Sequence, residues 1–320
     1  MATTTRTKSI KHEARTTRVV RDAAAETTNK ILAALKAGTV PWQKTWESNG
    51  SSNLPTSLST GRPYRGVNVF TLWLTGAAAG YASNLWGTYK QISERGGQVR
   101  KGEKSTEIVF WKILEKTDSE GKAKKIPLLR LFHVFNIAQA DWADDAKLPQ
   151  VAEPVEGEAT DPIAAAEELV AEYLAKGPSL GHGGGSAFYR PAADHVQMPQ
   201  LVDFVSAEAY HSTLFHELTH STGHDSRLKR EGIAQGTFGS FGDKVYSNEE
   251  LIAEMGAAIL CSVAGIEQAA TLDNSASYLA HWIKALEGDS NLIIKAASAA
   301  QKAVDRIVGT TFADKEEGAA

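Results

Sequence analysis

Residues 216–220 read His216-Glu217-Leu218-Thr219-His220. On a helix, positions four apart lie on one face. Two imidazoles so placed can hold one Zn2+ ion, with Glu217 beside them to take a proton from a water molecule. That is the layout of a zinc hydrolase, most often a metallopeptidase. The metal polarises a carbonyl and Glu217 serves as the base.

A catalytic zinc usually takes three protein ligands, and the sequence offers two sources for the third. In one, a second helix beginning near Ser247 supplies a carboxylate. Glu250 and Glu254 share a face there, so one can bind metal while the other accepts a hydrogen bond from the far nitrogen of a ligating histidine. Glu249 reads as a solvated neighbour. In the other, His224 is the ligand or otherwise stands behind the ligands. The string HELTHSTGH carries the glycine of the HExxHxxGxxH pattern, but His224 follows Gly223 directly, which shortens the loop that pattern needs. Tyr246 is placed either to stabilise an oxyanion or to pack in the core.

The elements that must position these groups are legible. The run from Ser206 to His220 has no Gly or Pro. Ser206 is a natural N-cap, Glu208 suits the first turn, and Gly223 is a natural stop. Leu214, Phe215 and Leu218 would bury the helix. Further helices are predicted over 22–37, 67–80, 88–95, 163–176, 274–287 and 291–308. Strands are predicted over 106–114 and 128–135, joined as a hairpin through Asp118–Gly121. Gly181-His182 reads as a flexible loop. Residues 187–191 and 195–198 read as a small hairpin about Asp194, whose strand could pair with an extended peptide, within the limit set by Pro191. The Gly-rich 232–242 stretch joins the two metal-bearing helices. The chain reads as α+β, in two domains.

Charge divides sharply between the halves. Residues 1–137 carry 22 Lys and Arg against 10 Asp and Glu, a net of +12, and residues 138–320 carry 12 against 28, a net of −16. Such asymmetry suggests two independent units, one of which meets a polyanion. The acidic stretch 141–162, with Pro149, Pro154 and Pro162, has linker composition. No apolar run reaches membrane-span length and no signal peptide is visible. Single Cys261 suits a reducing cytoplasm.

The basic half holds five of the seven tryptophans. Aromatics interleaved with Lys and Arg are the composition of single-strand binders, whose rings stack on bases while a basic groove follows the backbone. The candidates are Arg62, Tyr64 and Arg65 in one turn, and Trp86, Tyr89, Lys90, Arg100, Lys101 and Lys104 in a second segment. Trp73 reads as core. There is no GxxxxGK[ST] loop, which argues against a Walker-type nucleotide site.

Several segments carry resemblances. Glu250-Leu-Ile-Ala-Glu254-Met-Gly256 is similar to the glutamate helix of gluzincins, which implies Glu250 as ligand and Glu254 as the residue that orients a histidine. The segments Arg62-Pro-Tyr-Arg-Gly-Val-Asn68, Trp86-Gly-Thr-Tyr-Lys-Gln-Ile92, Gly96-Gly-Gln-Val-Arg-Lys-Gly-Glu-Lys104, Phe215-His-Glu-Leu-Thr-His-Ser-Thr-Gly-His224 and Glu249-Glu-Leu-Ile-Ala-Glu254 together resemble the ArdC-type antirestriction proteins. The resemblance covers about residues 25–310. It implies an α+β single-stranded-DNA-binding domain over 25–140 and a mostly helical zincin-like metallopeptidase domain over 163–310. Between and around them fall a basic flexible arm (1–24), the acidic linker (141–162) and a tail (311–320). It further implies carriage on plasmids and other conjugative elements, protection of incoming DNA from host restriction, and a restriction-system protein as substrate or target. A primase-associated accessory role, or a zincin domain that serves only as scaffold, are the alternatives. The implied cofactor is Zn2+, with another divalent ion such as Mn2+ as the alternative.

Overall fold

The computed structural model describes residues 22–42, 54–117, 123–146, 148, 161–234, 244–266 and 276–310. Most of the basic arm, most of the acidic linker, the Asp118–Gly121 turn, Trp46, the Gly-rich stretch from 235 onward and the 311–320 tail lie outside these residues.

The first half is mixed helix and sheet. Helix α1 (Ala23–Lys36) starts on an Asp22 cap whose carboxylate accepts from the Ala24 and Ala25 N–H groups. Then follow β1 (Thr56–Ser57), α2 (Val67–Ala79), β2 (Leu85–Gly87), α3 (Tyr89–Glu94), β3 (Gly97–Val99), β4 (Thr106–Thr117), β5 (Ala123–Asn136) and β6 (Ala140–Trp142). One sheet runs β1-β2-β5-β4, and β3 pairs separately with β6. Helix α2 lies on β4 through a buried amide. Asn68 Nδ2 donates to the Val109 carbonyl and Val109 N–H donates back to Asn68 Oδ1, both at 2.8 Å. α3 opens on a Thr88–Gln91 capping box.

The second half is mainly helical: α4 (Pro162–Leu174), a small sheet of β7 (Ser179–His182), β8 (Phe188–Arg190) and β9 (His195–Met198), then α5 (Ala207–Ser221), α6 (Lys244–Ala264), α7 (Ala276–Gly288) and α8 (Leu292–Val308). The sheet order is β7-β9-β8, so β8 is an edge. Gly181 and His182, expected in a flexible loop, belong to β7, which runs parallel to β9. Within residues 96–104 the strand is only Gly97–Val99, and its partner Ala140–Trp142 lies some forty residues on. Strands this short owe their register to distant partners, so no local period announces them. Among the described residues no helix is long and apolar enough to cross a membrane.

The two halves are not independent. Buried residues of α1, α2, α5, α6, α7 and α8 form one contiguous apolar cluster. At its centre Trp42 meets Trp282 of α7 edge-on, with ring centroids 5.3 Å apart. Polar ties rim the contact. Arg65 pairs with Asp305 of α8, the Gly66 N–H donates to Gln301, and the Thr28 hydroxyl donates to the Ser290 carbonyl.

The small sheet is locked to α5 by a charged clamp. Arg227 bonds both oxygens of Asp194 and donates to the Ser221 carbonyl at the end of α5, while Tyr189 of β8 donates to Asp194 at 2.8 Å. Burial pushes the Asp194 carboxyl up, but the Arg227 and Tyr189 bonds outweigh it and the net shift is downward. A carboxylate with a depressed folded-state pKa adds stability that is present above its unfolded value, about 4, and is lost as pH falls through the folded value. We expect Asp194→Asn to cost about 1–3 kcal/mol at neutral pH, the range for hydrogen bonds to charged groups. The deficit should shrink as pH drops below about 4, as thermal melting over a pH series would show.

Candidate metal centre

Ser206 caps α5 by accepting from the Ala209 N–H, and twelve of the residues that follow in the helix are buried, among them His216, Glu217 and His220. α6 lies along it. Its contact side carries Gly256, where an added Cβ would stand 2.6 Å from the Thr219 side chain. The absence of a side chain there lets the two helices close, and places Glu249, Glu250 and Glu254 of α6 against the histidines of α5.

The Nε2 atoms of His216 and His220 are 3.0 Å apart. Glu250 reaches both, with Oε2 at 3.5 Å from His216 Nε2 and Oε1 at 3.6 Å from His220 Nε2. Ligands about 2.1 Å from one tetrahedral ion would be about 3.4 Å from each other. Three donors already sit near that spacing, and the ring nitrogens converge on a common point. His216, His220 and Glu250 can thus hold one divalent ion, and among the described residues no other group of three does.

The far nitrogens are supported in turn. Glu254 Oε1 faces His216 Nδ1 at 3.0 Å, and Glu249 Oε1 accepts from His220 Nδ1 at 3.2 Å. A carboxylate on Nδ1 leaves Nε2 for metal. Glu249 is therefore not the solvated neighbour its sequence position suggested. It is 3 % exposed. The signal that would have revealed it is Arg230, which meets its carboxylate in a two-pronged contact.

Electrostatics favour a cation at this point. Four buried carboxylates gather here, and unpaired buried charge is costly. Arg230 offsets Glu249, and a divalent ion would offset Glu250 and Glu254. Burial alone pushes His216 down, yet bonds to Glu250 and Glu254 carry it well above the ordinary histidine value. Burial pushes Glu250 up, but His216, His220 and the Tyr246 hydroxyl bring it down to about 2. Glu217 is raised, chiefly by burial, against the pull of the two histidines, and it accepts from the Tyr189 backbone N–H of edge strand β8.

Two expectations shift. Tyr246 bonds the Glu250 carboxylate, so its first role is to hold a candidate ligand. His224 is not part of the cluster. Its Nδ1 pairs with the Ser226 hydroxyl at 2.8 Å, beyond the end of α5. In this structure it reaches neither the three donors nor the far nitrogen of either histidine.

The nucleic-acid candidates divide. Trp86 is 1 % exposed and Tyr64 8 %, both in the core between α2 and the sheet, so neither ring offers a face to a base. The Trp86 carbonyl even accepts from Tyr64. Arg65 is spent on Asp305, and Arg100 on Glu103, the Ala138 carbonyl and Asp141. Tyr89 is 51 % exposed, flanked by Phe135 edge-on and hydrogen-bonded through its hydroxyl to Gln98. Arg62, Lys90, Lys101 and Lys104 are exposed.

The fold and donor set define a zincin-like metallopeptidase domain packed against a smaller α+β domain. Residues 164–299 match the family model described as a zincin-like metallopeptidase, and residues 21–135 match that of the N-terminal domain of anti-restriction factor ArdC. Two solved structures of the antirestriction ArdC protein from the R388 plasmid share this fold. The metal-free form is 38% identical (TM-score 0.72, covering 91% of this chain and 100% of that one), and the Mn(II)-bound form is 40% identical (TM-score 0.70, covering 90% and 97%). The uncharacterized protein y4eC of Sinorhizobium fredii is 35% identical over 91% of this chain and 93% of its own length. The DNA primase TraC of Escherichia coli is 36% identical over 87% of this chain, but that stretch is 26% of the primase, and the primase name belongs to the longer protein. The chain belongs to the ArdC antirestriction family.

Removing Glu250 separates the two ligand schemes. Glu250→Ala should weaken divalent-metal binding by more than about 100-fold, beyond the usual loss for a supporting residue, whereas His224→Ala should leave it unchanged. Metal content after purification and calorimetric titration would read both, and the reverse pattern would move the third ligand to His224.

Proposed function

We propose that this protein is an antirestriction factor. In this reading its first half binds single-stranded DNA and its second half holds a gluzincin-like metal centre, with Zn2+ or Mn2+ on His216, His220 and Glu250. The observation that carries the reading is the spacing of those three donors, in a chain whose family membership is established over both halves. The bound ion would supply Lewis acidity for hydrolysis. The chain's own contribution is Glu217, a carboxyl whose proton affinity burial raises, as suits a residue that takes a proton from water. Edge strand β8 runs beside it and could align an extended peptide. The target in this reading is a protein of the host restriction system, met in the cytoplasm.

Glu217→Ala keeps all three ligands, so it should retain metal and DNA binding. If proteolysis is the mechanism, it should lose protection of transferred DNA in a conjugation assay with a restricting recipient. Full protection by this variant would leave the zincin domain as a scaffold.

For the DNA-binding half, the exposed ring of Tyr89 and the exposed cations Arg62, Lys90, Lys101 and Lys104 form the proposed contact face, Lys90 being paired with Glu94 across one helical turn. Tyr89→Ala should cost about 1–3 kcal/mol of single-strand affinity through lost stacking. Joint replacement of Lys101 and Lys104 by Gln should flatten the salt dependence by roughly two phosphate contacts. Trp86→Phe should do neither. Fluorescence anisotropy on a labelled oligonucleotide across a salt series would separate these outcomes, and salt-independent binding by the wild type would remove the basis for the face.

A further inference from the structure

Arg230 stands at the end of a turn that leaves α5 and doubles back onto it. The turn is closed by the Leu228 N–H on the Thr222 carbonyl and the Arg230 N–H on the Gly223 carbonyl, each at 2.9 Å, with Lys229 in the left-handed region at φ 50°. The reversal drives the guanidinium into the end of α5. Nη2 donates to the Thr219 carbonyl at 2.8 Å and to the His220 carbonyl at 3.3 Å, and Nη1 donates to the Thr222 hydroxyl at 2.6 Å. Its remaining edge meets Glu249. Nε lies 2.9 Å from Oε2, and Nη2 2.5 Å from Oε1. That same Oε1 accepts from His220 Nδ1. The Arg230 side chain is 10% exposed and that of Glu249 4%.

We propose that Arg230 is a positioning residue of the metal centre: it fixes Glu249, and through Glu249 it holds the His220 imidazole with Nδ1 as the donor and Nε2 turned to the ion. The inference rests on the metal-centre reading above. Its physical basis is the match of a planar fork to a carboxylate, which fixes two oxygens at once, where an ammonium would fix one. Without the guanidinium, Glu249 would be a buried carboxylate near Glu250 and Glu254. With neither oxygen held it would be free to turn, and His220 would lose its fixed acceptor. The two ligands are supported differently. Glu254, behind His216, pairs with no Lys or Arg among the described residues.

Gly223 gains an explanation. A Cβ at that position would lie 3.0 Å from Arg230 Nη2 and 3.1 Å from Cζ. The glycine of HELTHSTGH makes room both for this guanidinium and for Ile233, whose Cβ would also lie 3.0 Å from the added atom.

The test uses the full chain: wild type, Arg230→Gln, Arg230→Lys, Glu249→Gln and the Arg230→Gln/Glu249→Gln double variant, with His216→Ala as the ligand control. Each metal-free protein is checked by circular dichroism and melting, titrated calorimetrically with Mn2+, and loaded with Co2+ for its visible spectrum. Arg230→Gln should weaken Mn2+ binding about 10- to 100-fold, as loss of an outer partner does, and shift the Co2+ bands. Arg230→Lys should restore only part of the loss. The double variant should lose little more than either single one, because the two residues act as one unit. A folded Arg230→Gln with wild-type Mn2+ affinity and an unchanged Co2+ spectrum would reduce Arg230 to a helix cap and overturn the proposal. Should Arg230→Gln fail to fold, the near-isosteric Glu249→Gln decides: reduced affinity supports the proposal and unchanged affinity overturns it. Wild type that binds no more Mn2+ than His216→Ala would overturn the metal-centre reading and this inference together. Binding by the wild type and equally by the Arg230 and Glu249 variants overturns this inference alone.

Discussion

The close approach of α5 and α6 governs the second half of this protein. Imidazoles on one helix and carboxylates on the other must meet within a few ångströms, in an interior where unpaired charge is costly. Gly256 against Thr219 sets the spacing. The other features follow from it. Each histidine gains a carboxylate on its far nitrogen, one buried acid gains a guanidinium, and the remaining negative charge faces the point where two Nε2 atoms and a glutamate oxygen converge. A helix pair separated by one methyl group more would keep every residue of the motif and lose the cluster.

Much of this was legible in the sequence because helical spacing is rigid. The i, i+4 pair His216 and His220 had to share a face, and so did Glu250 and Glu254. Ser206 and Asp22 act as the caps their chemistry suggests. What could not be read depends on partners far along the chain. Glu249 differs from a solvated glutamate only through Arg230, which comes back to it by a turn about a left-handed Lys229. Strands β3 and β6 are three residues each and exist through one another. Tyr246 had two readings from sequence, and the bond to Glu250 gives it a third.

The basic, aromatic half shows where composition misleads. A tryptophan among lysines looks like a stacking platform, yet burial of large rings is the stronger tendency. Trp42, Trp73 and Trp86 are all core, and Tyr64 with them. Tyr89 is the exception: it opens a short helix at the surface and is exposed, while Ile92, one turn on, is wholly buried. The opposite net charges of the halves suggested separable bodies. The interface between them is nonetheless apolar at its centre, and among the described residues its ion pairs, Lys36–Glu287 and Arg65–Asp305, are partly exposed to solvent. Charge describes the outer surface of each half and says little about the face they share.

The Trp42–Trp282 contact bears on inheritance. Two bodies joined by a tether can be shuffled among proteins singly, whereas two that complete one another's interior travel more safely as a pair. The likeness to the primase fits the second case. It extends over 87% of this chain, reaching into both halves, within a protein almost four times as long as the matched stretch. The stretch shared with the primase is then the whole two-part body, in keeping with a core cluster that draws on both halves.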